Sequence, residues 1–153
     1  MNMKNQSVIN MWNEFCKTNP AAPETYDAWA FGDSKESADE LAELVFDGTK
    51  TATSSLHLLY ELENEELPYV GLHNVILNGK EQAVGMIETT SIELIPFHEV
   101  SAEHAYLEGE GDRSLAYWRK VHEDFFAREL KGIKREFEED MLIVCERFKV
   151  VYR

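Results

Sequence analysis

Hydrophobic positions along the chain first recur at helical spacing. Val8, Met11, Trp12 and Phe15 share one face of a helix predicted over residues 7–17. Asn19-Pro20-Ala21-Ala22-Pro23 ends it, because proline lacks an amide donor and restricts the residue before it. Tyr26 to Phe31 places aromatic side chains at alternate positions and reads as extended. Gly32-Asp33-Ser34 then turns the chain, and Asp33 or Ser34 caps a helix to about Phe46 with Ala38, Leu41, Ala42 and Val45 inward. Gly48 stops that helix. Thr51 to Ser54 is a short strand or turn, Leu56 to Leu62 a short helix, and Gly71 to Leu77 a strand. Asn78-Gly79 predicts a hairpin through a type I′ turn, since both residues tolerate positive φ. The return strand, about Gln82 to Leu94, sets Val84, Met86, Thr90, Ile92 and Leu94 on one face, and Pro96 closes it.

Ser101 caps a further short helix that Gly109-Glu110-Gly111-Asp112 breaks. A long helix follows over about Ser114 to Leu130, with Leu115, Trp118, Val121, His122, Phe125 and Phe126 as its apolar stripe. The last strand, Met141 to Tyr152, alternates Ile143, Cys145, Arg147 and Lys149 against Leu142, Val144, Phe148 and Val150. Neither set is cleanly apolar, so the pattern leaves its faces open. This order of elements predicts an α+β domain with a small, largely antiparallel sheet.

Composition narrows the function classes. The chain has 153 residues, 44% of them hydrophobic and 29% charged, which suits one globular domain. No apolar run approaches the ~20 residues of a membrane-spanning helix. The first residues lack the apolar core of a signal peptide, so a cytoplasmic protein is expected. The net charge of -14 argues against a general binder of duplex DNA. One stretch runs the other way: between Arg113 and Arg135 seven bases face three acids. That stretch is either helix-surface charge, paired as Arg119–Glu123 and Lys120–Asp124, or a basic patch for an anion such as RNA phosphate.

The chemistry-bearing residues are few. Cys16 and Cys145 are too few for a disulfide framework or a zinc ribbon, and read as small buried side chains. His57, His73, His98, His104 and His122 show no HExxH spacing, and no metal is expected. His104 and Glu108 stand four apart on one helical face, whereas His122 in its apolar stripe reads as a core histidine. There is no GxSxG, and Gly48-Thr49-Lys50-Thr51 lacks the first glycine of a phosphate loop. Lys50 and Thr53 are the pair to single out. A poorly solvated lysine beside a hydroxyl can lose its proton near neutral pH and then deprotonate that hydroxyl. The plainer reading is a solvated lysine beside a threonine-rich strand.

Four segments carry a resemblance: Gly48 to Thr53 as GxKxxT, Trp29 to Ser34, Gly109 to Arg119, and Val144 to Phe148. With them the chain, from about Trp29 to Tyr152, resembles the ASCH domain family of PUA-like folds, and most closely a bacterial subgroup long described only as a domain of unknown function. The resemblance implies an α+β domain, a small mixed or antiparallel PUA-like β-barrel with flanking helices. Residues 1–22 would form an N-terminal helix and linker, and residues 23–153 the ASCH domain. Because the leading helix lies outside the matched stretch, a homodimer is a further expectation. The family is thought to be RNA-associated. One small bacterial type hydrolyses N4-acylated cytidines with a lysine, a threonine and a glutamate. Those positions fall on Lys50, Thr53 and, three residues after His104-Ala105, Glu108. Trp29, Asp33, Arg113, Tyr117 and Arg119 are the expected substrate-binding residues, with Trp29 or Tyr117 to stack on a base and Arg113 to hold a phosphate or carbonyl oxygen. The implied partner is a nucleoside, nucleotide or RNA, with no cofactor. An RNA-binding module or a ribonuclease using the same cleft is the alternative. The loop after Glu108 is longer here, and Ser55 stands where many members have arginine.

Overall fold

The computed structural model describes residues 5–153. The helices are α1 (Gln6–Thr18), α2 (Lys35–Phe46), α3 (His57–Leu62), α4 (Ala102–Glu108) and α5 (Leu115–Lys131). The strands are β1 (Asp27–Ala30), β2 (Ala52–Leu56), β3 (His73–Leu77), β4 (Ala83–Pro96) and β5 (Leu142–Tyr152). They form one five-stranded sheet in the order β1-β3-β4-β5-β2. β1 pairs parallel with β3, while β3 with β4 and β2 with β5 are antiparallel. The α+β expectation holds, and the parallel β1–β3 pair makes the sheet mixed.

The chain groups into two compact units. The first comprises the residues up to Gly48, Tyr69–Thr90 and Phe148–Arg153; the second comprises Thr49–Pro68 and Ser91–Arg147. Within the first unit, Asn5 caps α1 by accepting from the amides of Ser7 and Val8. Val8, Trp12 and Phe15 of α1 pack on Val75 of β3 and Met86 of β4. Ser34 caps α2, whose Ala42 and Val45 pack with Phe31, Ile76, Ile87 and Phe148. Burying α1 and α2 in this way is what stabilises them, since isolated helices of this length are marginal in water. Within the second unit, Leu56, Ile143 and Cys145 of the sheet pack against Ala105 of α4 and Trp118, Phe126 and Leu130 of α5.

Two sequence expectations need correction. The 78–82 hairpin is not a type I′ turn, because neither Asn78 nor Gly79 has positive φ. The left-handed residue is Glu81, at φ 61°. Asn78 instead organises a wider loop. Its side-chain oxygen accepts from the amides of Lys80 and Gln82, and its own amide donates to the Gln82 carbonyl. Gly79 is needed for a different reason: a β-carbon there would overlap the Lys35 carbonyl oxygen at the start of α2. The single apolar face proposed for β4 also fails. Met86 and Ile87 are both fully buried, each in a separate cluster of the first unit, while Leu94 is 43% exposed. β5 shares this two-sided burial, with Ile143, Val144, Cys145 and Phe148 all inside. A strand covered on both faces has no alternation to read.

Gly79→Ala should therefore destabilise the protein by about 1–3 kcal/mol through overlap with the Lys35 backbone. Lys80→Ala, one residue on and exposed, should stay within about 0.5 kcal/mol of wild type. Urea denaturation of the two variants makes the comparison.

Candidate active site

Local sequence builds the site in the second unit. Ser101 caps α4 by accepting from the His104 amide. One turn apart, His104 and Glu108 then share a face. Gly109 ends the helix in the left-handed region, at φ 73°. A side chain there would overlap the Thr49 carbonyl, so the loop after α4 runs flush against the residue preceding Lys50. Gly111, also left-handed, leaves room for the Tyr117 ring. Ser114 caps α5, which presents Trp118 and His122 on one face.

These elements converge on the Glu108 carboxylate, which is 1% exposed. Its Oε2 accepts from the Ser54 hydroxyl at 2.5 Å and from Trp118 Nε1 at 2.6 Å, and lies 3.2 Å from His104 Nε2. Its Oε1 lies 3.1 Å from Lys50 Nζ and 3.4 Å from His122 Nε2. Lys50 Nζ also reaches Glu110 Oε2 at 2.9 Å and the Glu108 carbonyl at 3.4 Å. Lys50 is as buried as Glu108, whereas the Glu110 side chain is 21% exposed. An ionised pair this deep is tolerated only when each charge is hydrogen-bonded as well as paired.

The electrostatics follow from these contacts. Burial acts to lower the Lys50 pKa, but the charges of Glu108 and Glu110 and the hydrogen bonds to them outweigh it, and the net direction is up from 10.5. Burial alone would depress Lys50; the two carboxylates reverse that direction and favour its ammonium form. Burial acts to raise Glu108, but Lys50 and His122, with hydrogen bonds from His104 and His122, hold it well below 4.5. Burial acts to lower His122, yet Glu108, Glu110 and the Trp118 carbonyl push it up from 6.5.

The constellation permits some chemistries better than others. One ligand atom from each of Glu108, Glu110 and His122 lies within 4.8 Å of the others, a spacing that could hold a metal ion. The Lys50 ammonium already bonds to both carboxylates, so the protein supplies its own cation there. Ser54 Oγ is 2.8 Å from His104 Nε2, but the serine hydrogen goes to Glu108 and the carboxylate meets the same imidazole nitrogen. A serine triad needs the carboxylate on the opposite nitrogen, so this is not one.

The predicted site residues separate into groups. Lys50 and Glu108 are in direct contact. Thr53 leaves β2 from the face opposite Ser54 and pairs in register with Glu146, a buried carboxylate of β5. Hydroxyls around it are engaged: Thr51 with the Leu107 carbonyl, Ser54 with Glu108 and Ser55 with Tyr60. That of Thr53 makes no hydrogen bond among the described residues. Arg113, left-handed at φ 67°, donates to the carbonyls of Tyr106 and Thr49 and lies 3.7 Å over the Tyr106 ring. Arg119 donates to the His98 carbonyl, and Tyr117 is 38% exposed against Gly111. Trp29 and Asp33 belong to the first unit, where the Trp29 indole donates to Asn74. Sequence reasoning missed Ser54, Glu110, Trp118 and His122. The available signal was a histidine inside an apolar stripe, one turn after a tryptophan whose N–H needs a partner.

Glu108→Gln leaves Lys50 and His122 buried with one carboxylate fewer, and should lower the unfolding free energy by about 3–5 kcal/mol. The pH dependence has a sign for each group. Glu108 is depressed in the fold, so its contribution holds above 4.5 and is lost as pH falls through its folded value. Lys50 and His122 are raised, so theirs are complete below 10.5 and 6.5 and are lost as pH rises through their folded values. Urea midpoints should fall in acid for the wild type and fall less for Glu108→Gln.

Comparison with known proteins places this architecture. No curated protein matches the chain. A solved ASCH domain from Lactobacillus crispatus JV V101 is 32% identical over 100% of both chains, with a TM-score of 0.93. A protein of the DUF984 family from Enterococcus faecalis V583 is 38% identical over 96% of this chain and 89% of its own, with a TM-score of 0.90. The ASCH domain family model matches residues 27–152, nearly the whole chain from β1 onward, and the chain belongs to the ASCH domain family.

Proposed function

We propose that this ASCH domain hydrolyses the exocyclic amide of N4-acylated cytidine-type nucleosides, with Lys50, Thr53 and Glu108 as its reacting and orienting groups. The observation that carries the reading is the direct contact of Lys50 and Glu108, 58 residues apart in sequence, at 3.1 Å and about 1% exposure. Buried, mutually perturbed ionisable groups of this kind concentrate where proton transfer is done. Thr53, three residues after Lys50, carries a hydroxyl with no protein partner among the described residues.

The chemistry runs in two steps. A neutral Lys50 amine takes the Thr53 hydroxyl proton as Oγ1 bonds to the acyl carbonyl carbon. The C–N4 bond then breaks, and Lys50 returns the proton to N4, leaving cytidine and an acyl ester on Thr53. Water attacks the ester, releasing a carboxylic acid and restoring the threonine. Glu108, fixed by Ser54, His104, Trp118 and His122, holds the Lys50 Nζ in place throughout. Tyr117, at the start of α5, supplies a flat surface for a base.

An RNA-phosphate site has less support. Arg113 and Arg119 donate to backbone carbonyls, Arg147 pairs with Glu103, and Lys50 is buried. These four are engaged by the protein, while Lys120, Arg128, Lys131, Lys134 and Arg135 stay exposed.

Purified protein should convert N4-acetylcytidine to cytidine and acetate, followed by chromatography. Lys50→Met and Thr53→Ala should each lower kcat/KM by at least about 100-fold, with little dependence on salt. No turnover by folded protein, together with salt-sensitive RNA binding, would replace the hydrolase with the RNA-binding module.

A further inference from the structure

The hydrolase reading, on which this inference rests, needs Lys50 as a free amine, yet its Nζ lies between two carboxylates at 3.1 and 2.9 Å, which favour the ammonium. Those carboxylates are not equivalent. Glu108 is locked: besides Lys50 it meets Ser54, His104, Trp118 and His122, and its side chain is 2% exposed. Glu110 is not. Its carboxylate has Lys50 as its one hydrogen-bond partner among the described residues, at 2.9 Å, and its side chain is 21% exposed.

The backbone beneath Glu110 is fixed, so what can move is its side chain. Left-handed Gly109 and Gly111 flank it. Arg113 ties the same loop to the Tyr106 and Thr49 carbonyls and to the Tyr106 ring. Turning the part-exposed Glu110 side chain outward breaks one ion pair, whereas moving Glu108 would leave several buried donors unpaired.

We propose that Glu110 is the removable counter-ion of this site: it clamps the Lys50 ammonium in the free protein and leaves when a nucleoside arrives. The proton passes from Lys50 Nζ to the Glu110 carboxylate and from there to bulk water, which leaves Lys50 a neutral amine. Glu110 is thus a positioning residue acting through Lys50. The other charged or titratable groups around the ion pair are Glu108 and His104 of α4, His122 of α5 and the Cys145 thiol of β5, with Arg113 held on the loop.

The test follows the Lys50 side chain by NMR in ¹³C,¹⁵N-labelled protein, its signal identified by its loss in Lys50→Met. In Glu110→Gln, near-isosteric and checked for fold by circular dichroism, the Lys50 titration should move to lower pH. Glu110→Asp, with its carboxylate drawn back by one methylene, should move it the same way by less. Cytidine added to wild type should produce the downward move without mutation. With N4-acetylcytidine as substrate, the acidic limb of kcat/KM should shift to lower pH in Glu110→Gln, whereas a merely structural role would lower the rate at every pH. Turnover with an unchanged Lys50 titration in Glu110→Gln overturns the inference and leaves the hydrolase standing. A lowered titration without turnover upholds Glu110 as the counter-ion and overturns the hydrolase.

Discussion

Most of the buried polar groups of the second unit are arranged around one negative charge. The Glu108 carboxylate takes a hydroxyl from β2, an imidazole from its own helix, an indole and a second imidazole from α5, and an ammonium from the segment before β2. Water would solvate a carboxylate about as well, so the cluster contributes little net stability by itself. Its cost falls on any arrangement that leaves one member unpaired. The helices must meet β2 at this register, because one turn of slippage in α4 or α5 would strand a buried charge.

That constraint explains which features could be read in advance. The caps near Ser34 and at Ser101 and the helices they start were legible because capping is local, whereas Ser114, placed inside its helix by the pattern, is that helix's cap. The GxKxxT stretch and the glutamate after His104-Ala105 pointed to Lys50 and Glu108, which do meet. The protonation of Lys50 was not legible. It depends on Glu110, two residues past Glu108, whose side chain turns back toward the lysine only because glycines on either side bend the loop. Burial alone would have set the opposite direction. His122 was hidden by its neighbours, since a histidine amid Trp118, Phe125 and Phe126 looks like core until something is known to sit opposite it.

The strands illustrate a second limit. β4 and β5 are covered on both sides along much of their length, so neither face could be chosen from alternation. The hairpin between β3 and β4 was found for a sound reason and built by another. Asn78 acts through its side-chain acceptor, and Gly79 through the closeness of α2. The basic run between Arg113 and Arg135 likewise does more inside the protein than its charge suggested, with Arg113 and Arg119 each tying segments through backbone carbonyls.

The Glu108 cluster also bears on how this unit opens. Its members come from the chain around residue 50, from α4, from the loop behind it and from α5, with up to 58 residues between partners. None of these segments can detach alone without exposing the others' charges to an unfinished shell. The segments that meet at Glu108 should therefore open together, with the Glu110 side chain at the edge of the cluster.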